Sequence, residues 1–222
     1  MPRSVVLRPT ARCPGCRMPP RWCVCAGSRT VETALRVDVL MDRLEQYRPT
    51  STGMLIQRAV PASRQHLFER QTRLDRATIC APDRELWILH TRGEPMPADA
   101  DPGRVQALLL DGSWQAVQVM LPHIEGWGRR VRLPATAPSR YWLRDAQIPG
   151  RLSTVEALIV LLEGFGEREP AAQLRLQFEL HVFAGLLARG KRAEAERFLV
   201  DSPVRTALPE LAEKLLSSRR LG

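Results

Sequence analysis

Hydrophobic and polar positions divide this chain into two alternating kinds of segment. Short apolar runs predict buried β-strands, and they span 34–41, 86–90, 105–111 and 129–134. Apolar residues at helical spacing predict helices, and these span 48–60, 114–124, 154–166, 171–199 with a break near Gly190, and 208–220. A loop rich in Gly, Pro and Asp is expected at 91–103. The alternation favours an α/β fold, with a mostly parallel sheet and helices on both of its faces.

Four cysteines lie close together in the segment RCPGCRMPPRWCVCAG near the N-terminus: Cys13, Cys16, Cys23 and Cys25. Their spacing, C-x2-C-x6-C-x-C, lets two turns bring four thiolates around one tetrahedral Zn²⁺. A site with four thiolates leaves no open coordination position, so we expect the zinc to be structural. A set of free or redox-active thiols is the alternative. Cys80 lies apart and is expected to be an ordinary buried thiol.

These features predict three parts of the chain. Residues 1–30 would form an N-terminal zinc knuckle, residues 31–190 the α/β domain, and residues 191–222 a helical C-terminal extension. The first part is too short to bury a core of its own, so a bound metal would be its main source of order.

The charge of the chain favours an anionic partner without requiring one. The 222 residues include 33 Lys+Arg and 24 Asp+Glu, and the formal net charge is +9. Phosphate contacts supply most non-specific affinity for nucleic acids, although basic surfaces are often simply solvated. No run approaches the ~18 apolar residues of a membrane span, and the start MPRSVVLRPTARC has no apolar signal region. We therefore expect a cytoplasmic protein that does not contact membranes.

Three loops carry side chains suited to a binding site. Residues 90–94 and 111–114 follow predicted strands, and residues 138–157 lead into an apolar helix. Ligands of parallel α/β sheets bind beyond the carboxyl ends of the strands, and if these loops meet there they form a pocket with hydrogen-bond donors, an aromatic wall, one carboxylate and one arginine. Turn and cap chemistry explains the same residues without a ligand, because Ser113 and Ser153 both suit helix N-caps.

Common catalytic motifs are missing from the chain. Neither Gly-x-Gly-x-x-Gly nor Gly-x4-Gly-Lys-Ser/Thr occurs, which argues against the usual dinucleotide-binding site and against a P-loop NTPase. With four histidines and no Ser/His/Asp elbow, a His-based catalyst is poorly supported.

The motifs that do occur, taken in order, resemble a known family. C-x2-C…C-x-C, RPTSTG, LLDGSW, SRYWLR and STVEA follow one another as in the DTW-domain family of tRNA-uridine aminocarboxypropyltransferases, and the resemblance spans about residues 12–190. It implies a fold related to the knotted SPOUT class, with S-adenosylmethionine bound by loops at the carboxyl ends of central strands. It also implies transfer of the 3-amino-3-carboxypropyl group to N3 of a uridine, with tRNA as the partner.

The resemblance implies roles for individual residues. Asp111 is the expected general base for the N3 proton, and its rival role is to hold the amino group of the cofactor. Trp114 would wall the adenosine or the sulfonium, and Arg144 would bind the methionine carboxylate or an RNA phosphate. Ser113, Ser153 and Thr154 would form hydrogen bonds to the cofactor. The full set of residues expected to bind the cofactor is Leu89, His90, Thr91, Leu110, Gly112, Ser113, Trp114, Arg144, Ser153 and Thr154.

Two other functions fit the same sequence. One is a SPOUT-like RNA methyltransferase that uses S-adenosylmethionine, and the other is a non-catalytic RNA-binding protein with a zinc knuckle. Single residues also have structural explanations: Trp114 as core filler, Ser153 as an N-cap and Arg144 as a solvated charge. The tRNA species, the modified uridine and the oligomeric state stay open.

Overall fold

A parallel β-sheet forms the centre of the protein in a computed structural model that describes residues 11–134, 137–144 and 150–218. Its strands are β1 (Arg36–Asp42), β2 (Arg64–Phe68), β3 (Glu85–Pro95), β4 (Val105–Asp111) and β5 (Arg129–Arg132). They lie in the order β2-β1-β4-β3-β5, and all neighbouring pairs are parallel. The predicted α/β class and parallel sheet are therefore confirmed.

Helices cover both faces of this sheet. Within the described residues they are α1 (Thr52–Ala59), α2 (Arg76–Ile79), α3 (Trp114–Met120), α4 (Thr154–Gly164), α5 (Arg168–Ala188), α6 (Arg192–Val200), α7 (Val204–Ala207) and α8 (Pro209–Ser217). Buried residues of α1, α4 and α5 share one apolar cluster with the sheet, and those of α2 and α3 share a second cluster.

Side chains of the central strand β4 belong to both apolar clusters, one on each face of the sheet. Successive side chains of a strand point to opposite faces. Ala107 and Leu109 belong to the cluster with α1, α4 and α5, whereas Leu108 belongs to the cluster with α2 and α3. Met41 of β1 pairs in register with Asp111 of β4, so the two strands end side by side. The loops that follow them consequently meet at one edge of the sheet.

Two elements differ from the sequence-based expectation. Strand β2 was not predicted, because Phe68 is its only fully buried residue and an edge strand needs no apolar run. Strand β3 continues to Pro95, so the first part of the expected loop is strand, and Glu94 and Pro95 pair with β5 after a register shift between Leu89 and Glu94. The expected break near Gly190 is present, since this glycine has a φ of +77° between α5 and α6.

The cysteine segment and the C-terminal helices share the main core with the sheet. Cys16 and Trp22 from the first belong to that cluster, as do Phe198 of α6 and Leu215 of α8. The helices α6, α7 and α8 all contact α5. The parts predicted at the two ends of the chain are thus packed against the central domain.

A further expectation concerns the path of the chain between β5 and α4. Residues 135–136 and 145–149 of this path lie outside the described residues, and the expected knot stays a prediction. Among the residues that are described, no helix has both the length and the apolar character needed to cross a bilayer.

Candidate active site

A cavity of about 980 Å³ opens at the carboxyl ends of β3 and β4. The three loops that carry the expected site residues converge on it, together with the amino-terminal ends of α3 and α4. The following residues of the expected cofactor set line the cavity: Leu89, His90, Thr91, Leu110, Gly112, Trp114, Arg144, Ser153 and Thr154. The three loops therefore meet at one cavity.

Ser113 is the member of the expected set that does not line the cavity. Its Oγ accepts a hydrogen bond from the backbone N–H of Ala116 at 3.1 Å, and this bond caps the start of α3. The N-cap explanation suffices for this residue. Ser153 both caps α4 and lines the cavity, so its two explanations hold together.

Trp114 forms a partly open aromatic wall. The residue is 38% exposed, so it is not core filler. The guanidinium carbon of Arg151 lies 4.5 Å from the centre of its ring, and the His90 ring is stacked with a centroid distance of 6.1 Å. Burial, followed by the charges of Arg130 and Arg92, lowers the pKa of His90. The wall thus combines a π-face already in contact with a cation and an imidazole that favours its neutral form.

The charge of the cavity is positive. Arg132, Arg144 and Arg151 line it, and among the described residues no Asp or Glu does so. The guanidinium carbon of Arg144 lies 5.5 Å from the ring centre of Tyr141, whose hydroxyl donates to the backbone carbonyl of Thr50. Planar guanidinium groups bind carboxylates and phosphates, so the cavity suits a ligand with anionic groups.

Asp111 lies behind the cavity wall rather than on it. It is 2% exposed. Its Oδ1 accepts a hydrogen bond from Thr154 Oγ1, and its Oδ2 accepts one from Ser51 Oγ at 3.1 Å. A Cβ at Gly53 would lie 2.6 Å from Oδ2, so the start of α1 approaches this carboxylate closely because it has a glycine there. Both roles expected of Asp111, general base and partner of the cofactor's amino group, need a carboxylate that points into the loop cluster, whereas the structure buries this one beneath the loops.

The burial of Asp111 has an electrostatic consequence. Removal from water raises the pKa of its carboxyl above the usual value, and the hydrogen bonds from Thr154 and Ser51 oppose this rise. Thr154, whose hydroxyl donates to the buried carboxylate, also lines the cavity.

Glu156 joins the two halves of the third loop, and the expected site set did not include it. Its carboxylate accepts hydrogen bonds from Ser139 Oγ at 2.8 Å and from the backbone N–H of Arg140 at 2.7 Å. It also accepts from the backbone N–H of Ser153 at 2.8 Å and from Ser153 Oγ at 2.7 Å. The Ser153–Glu156 spacing of a capping box was visible in the sequence, but the partners at 139 and 140 were not.

The four cysteines of the N-terminal segment form a compact cluster. Their Sγ atoms all lie within 4.8 Å of one another, and the Cys13–Cys25 and Cys16–Cys23 pairs are 3.6 and 3.7 Å apart. Tetrahedral zinc with Zn–S bonds of about 2.3 Å would place its sulfurs roughly 3.8 Å apart. Backbone N–H groups of Cys16 and Gly15 lower the pKa of Cys13 to about 6, whereas burial raises the pKa of Cys25 to about 12, so the fit to a metal rests on the positions of the sulfurs. The cluster therefore fits a four-coordinate metal ion.

Together, these features define an α/β protein with a cavity at the carboxyl ends of parallel strands and a four-cysteine cluster in its N-terminal segment. The family model of the DTW domain matches residues 10–187. The chain therefore belongs to the DTW domain family, which is consistent with a tRNA-modifying function. No solved structure gives a significant match to the chain.

Proposed function

We propose that this protein transfers the 3-amino-3-carboxypropyl group of S-adenosylmethionine to N3 of a uridine in tRNA. The observation that carries the proposal is the cavity of about 980 Å³, in which the predicted loops converge within a DTW domain. Its volume lies at the upper end of the usual range for small-molecule sites, about 300–1,000 Å³, and leaves room for a nucleobase beside a cofactor.

The residues present fit S-adenosylmethionine. Trp114 offers an aromatic face to adenine or to the sulfonium cation. Arg144 or Arg151 can pair with the methionine carboxylate, and the hydroxyls of Ser153 and Thr154 can accept or donate hydrogen bonds. Leu89 and Leu110 supply apolar surface. When bound, the cofactor supplies an electrophilic methylene next to its sulfonium, and methylthioadenosine is the leaving group.

The chain's own residues must choose this methylene over the methyl group. The choice depends on position, because displacement needs the nucleophile in line with the carbon it attacks. Arg144, fixed against Tyr141, would hold the carboxylate end of the cofactor. Trp114, at the start of α3 and in contact with Arg151, would hold the other end.

Removal of the N3 proton is assigned to Asp111 acting through Thr154. Thr154 lines the cavity, and its hydroxyl donates to Asp111 Oδ1. It can accept the N3 proton while passing its own proton to the carboxylate, which leaves the negative charge on the uridine. A carboxylate whose pKa is raised by burial is a stronger base than one in water. Asp111 therefore need not touch the substrate.

The cysteine cluster has a structural role in this proposal. Cys13, Cys16, Cys23 and Cys25 would hold Zn²⁺ with no open position for a reacting ligand. The positive charge of the chain would attract the phosphates of tRNA.

Mass spectrometry of tRNA nucleosides after incubation with the protein and S-adenosylmethionine tests the proposal. We expect a uridine that carries an aminocarboxypropyl group, together with release of methylthioadenosine. A methyl group on the product, with release of S-adenosylhomocysteine, would instead establish a methyltransferase. Binding of tRNA without any binding of S-adenosylmethionine would establish a non-catalytic RNA-binding protein.

A further inference from the structure

A second cavity, of about 510 Å³, lies between the cysteine cluster, α1 and α5. Three arginines line it: Arg12 and Arg17 from the cysteine segment and Arg58 from α1. His181 of α5 lines it as well. No Asp or Glu is among its lining residues within the described parts of the chain. The second cavity is therefore a cationic space that the proposed transfer reaction does not use.

Polar atoms at the wall of this cavity are buried without partners. His181 is 1% exposed, and neither of its ring nitrogens has a hydrogen-bond partner among the described residues. The Nε of Arg58 is likewise buried and unpaired there. Buried polar groups in folded proteins are nearly always paired, so these atoms indicate a polar occupant of the cavity.

The arginines are held in place by backbone carbonyls. Arg17 Nη1 donates to Gln46 at 2.6 Å, Arg12 Nη1 donates to Arg17 at 3.1 Å, and Arg58 Nη1 donates to Cys16 at 3.3 Å. None of these bonds neutralises a charge. The neighbouring cysteine thiolates offset part of this positive charge, and the three fixed guanidinium groups leave a net positive lining that suits an oxyanion.

The second cavity is connected to the proposed active site by a chain of hydrogen bonds. Ser51 lines the second cavity and donates to Asp111 Oδ2. Thr154 lines the first cavity and donates to Asp111 Oδ1. One buried carboxylate therefore lies between the two spaces, so the second cavity is a near neighbour of the proposed active site.

We propose that the second cavity binds a phosphate group of the tRNA substrate. The proposal rests on the proposed function, which makes tRNA the substrate of the neighbouring site. It adds a specific anchor that would fix the RNA relative to Thr154 and Asp111.

Two variants test the anchor by tRNA binding in the absence of S-adenosylmethionine. Arg58→Gln removes the charge deep in the cavity, and Arg12→Gln removes one near the surface. We expect each to weaken tRNA binding roughly tenfold or more, as loss of a charged hydrogen bond does. The slope of log affinity against log salt should fall by about one. Arg70→Gln is the matched control, because Arg70 is exposed and lines neither cavity.

Zinc content and melting temperature must be measured alongside, since Arg58 contacts the carbonyl of Cys16. If Arg58→Gln loses zinc, the tRNA affinity of Arg12→Gln decides whether the second cavity binds the RNA. Equal tRNA affinities for wild type, Arg12→Gln and Arg70→Gln would overturn the proposal.

Inorganic phosphate distinguishes the two possible sources of the phosphate group. At constant ionic strength it should compete with tRNA for the wild type but not for Arg58→Gln. Calorimetric binding of phosphate to the wild type, with unchanged tRNA affinity in both variants, would assign the cavity to a free phosphate and overturn the tRNA anchor. Cavity-dependent tRNA binding without any transferred group would support the anchor and refute the proposed reaction instead.

Discussion

The Oγ1 of Thr154 lies 2.5 Å from Oδ1 of Asp111 and donates a hydrogen bond to it across the wall of the main cavity. Thr154 lines this cavity, and Asp111 is almost fully buried. The pair can therefore move a proton out of the cavity without exposing a charge to the ligand. Two predictions separate this role from a purely structural one.

Asp111→Asn should bind S-adenosylmethionine nearly as the wild type does and lose most turnover, roughly 10²-fold or more. The amide keeps the size of the side chain but cannot accept a proton. If Asp111 instead paired with the ammonium of the cofactor, the binding free energy of the Asp111→Asn variant for S-adenosylmethionine would weaken by about 1.5–3 kcal/mol. Calorimetry of cofactor binding, with single-turnover rates on tRNA, distinguishes the two roles. Unchanged affinity together with an unchanged rate would refute both of them.

Thr154→Val and Thr154→Ser form a matched pair at the other end of the bond. Valine keeps the shape and removes the hydroxyl, so we expect a loss of roughly 10²-fold in single-turnover rate with little change in cofactor affinity. Serine restores the hydroxyl and should recover most of the rate. The wild-type rate should also fall as the pH drops below the raised pKa of Asp111, because the carboxylate must be ionised to accept a proton. A Val variant as fast as the Ser variant would show that no proton passes through this position.

The burial of Asp111 marks the limit of what the sequence could predict. The apolar run 105–111 and the turn after it were visible, and with them the position of the cavity at the carboxyl end of β4. The sequence did not reveal the direction in which the Asp111 side chain points. Asp111 lies on the same face of β4 as Leu109, and helices α1 and α4 cover this face. The positions of these helices depend on the order of the strands in the sheet, which no local sequence pattern reveals.

Long-range partners explain the remaining differences. Strand β2 is polar because it lies at an edge, so alternation could not reveal it. His181 lies within an apolar helix, so its sequence context indicates a core residue. Its position beside the cysteine cluster depends on the packing of α5 against α1, which the local sequence does not show. The cysteine cluster could be predicted, because all four ligands lie within a short segment whose spacing is set by local turns.

Glu156→Gln should destabilise the loops that line the main cavity and weaken cofactor binding without abolishing it. Glu156 accepts hydrogen bonds from four donors that join residues 139–140 to Ser153, and the amide NH2 of glutamine would point toward at least one of these donors. Each buried donor left unpaired costs about 1–3 kcal/mol, so we expect a lower melting temperature and a higher KM for S-adenosylmethionine.

Glu163→Gln is the control for this variant. It changes the same residue type on the same helix but affects only an exposed ion pair with Arg175, and exposed pairs contribute about 0–1 kcal/mol. Glu156→Asp tests whether the carboxylate is what matters, since relative to Glu156→Gln it restores the negative charge on a shorter side chain. If the Glu156 and Glu163 variants behaved alike in both KM and melting temperature, Glu156 would not position the cofactor loops.

Zinc should hold the N-terminal segment onto the core. Elemental analysis of the purified protein is expected to find about one zinc per chain. Cys16→Ser should lose the metal and lower the melting temperature, because Cys16 is fully buried and metal binding contributes directly to folding. Cys80→Ser is the matched control, since Cys80 lies outside the cluster and should keep the zinc. A metal-free preparation that melts at the wild-type temperature and keeps full activity would contradict a structural zinc site.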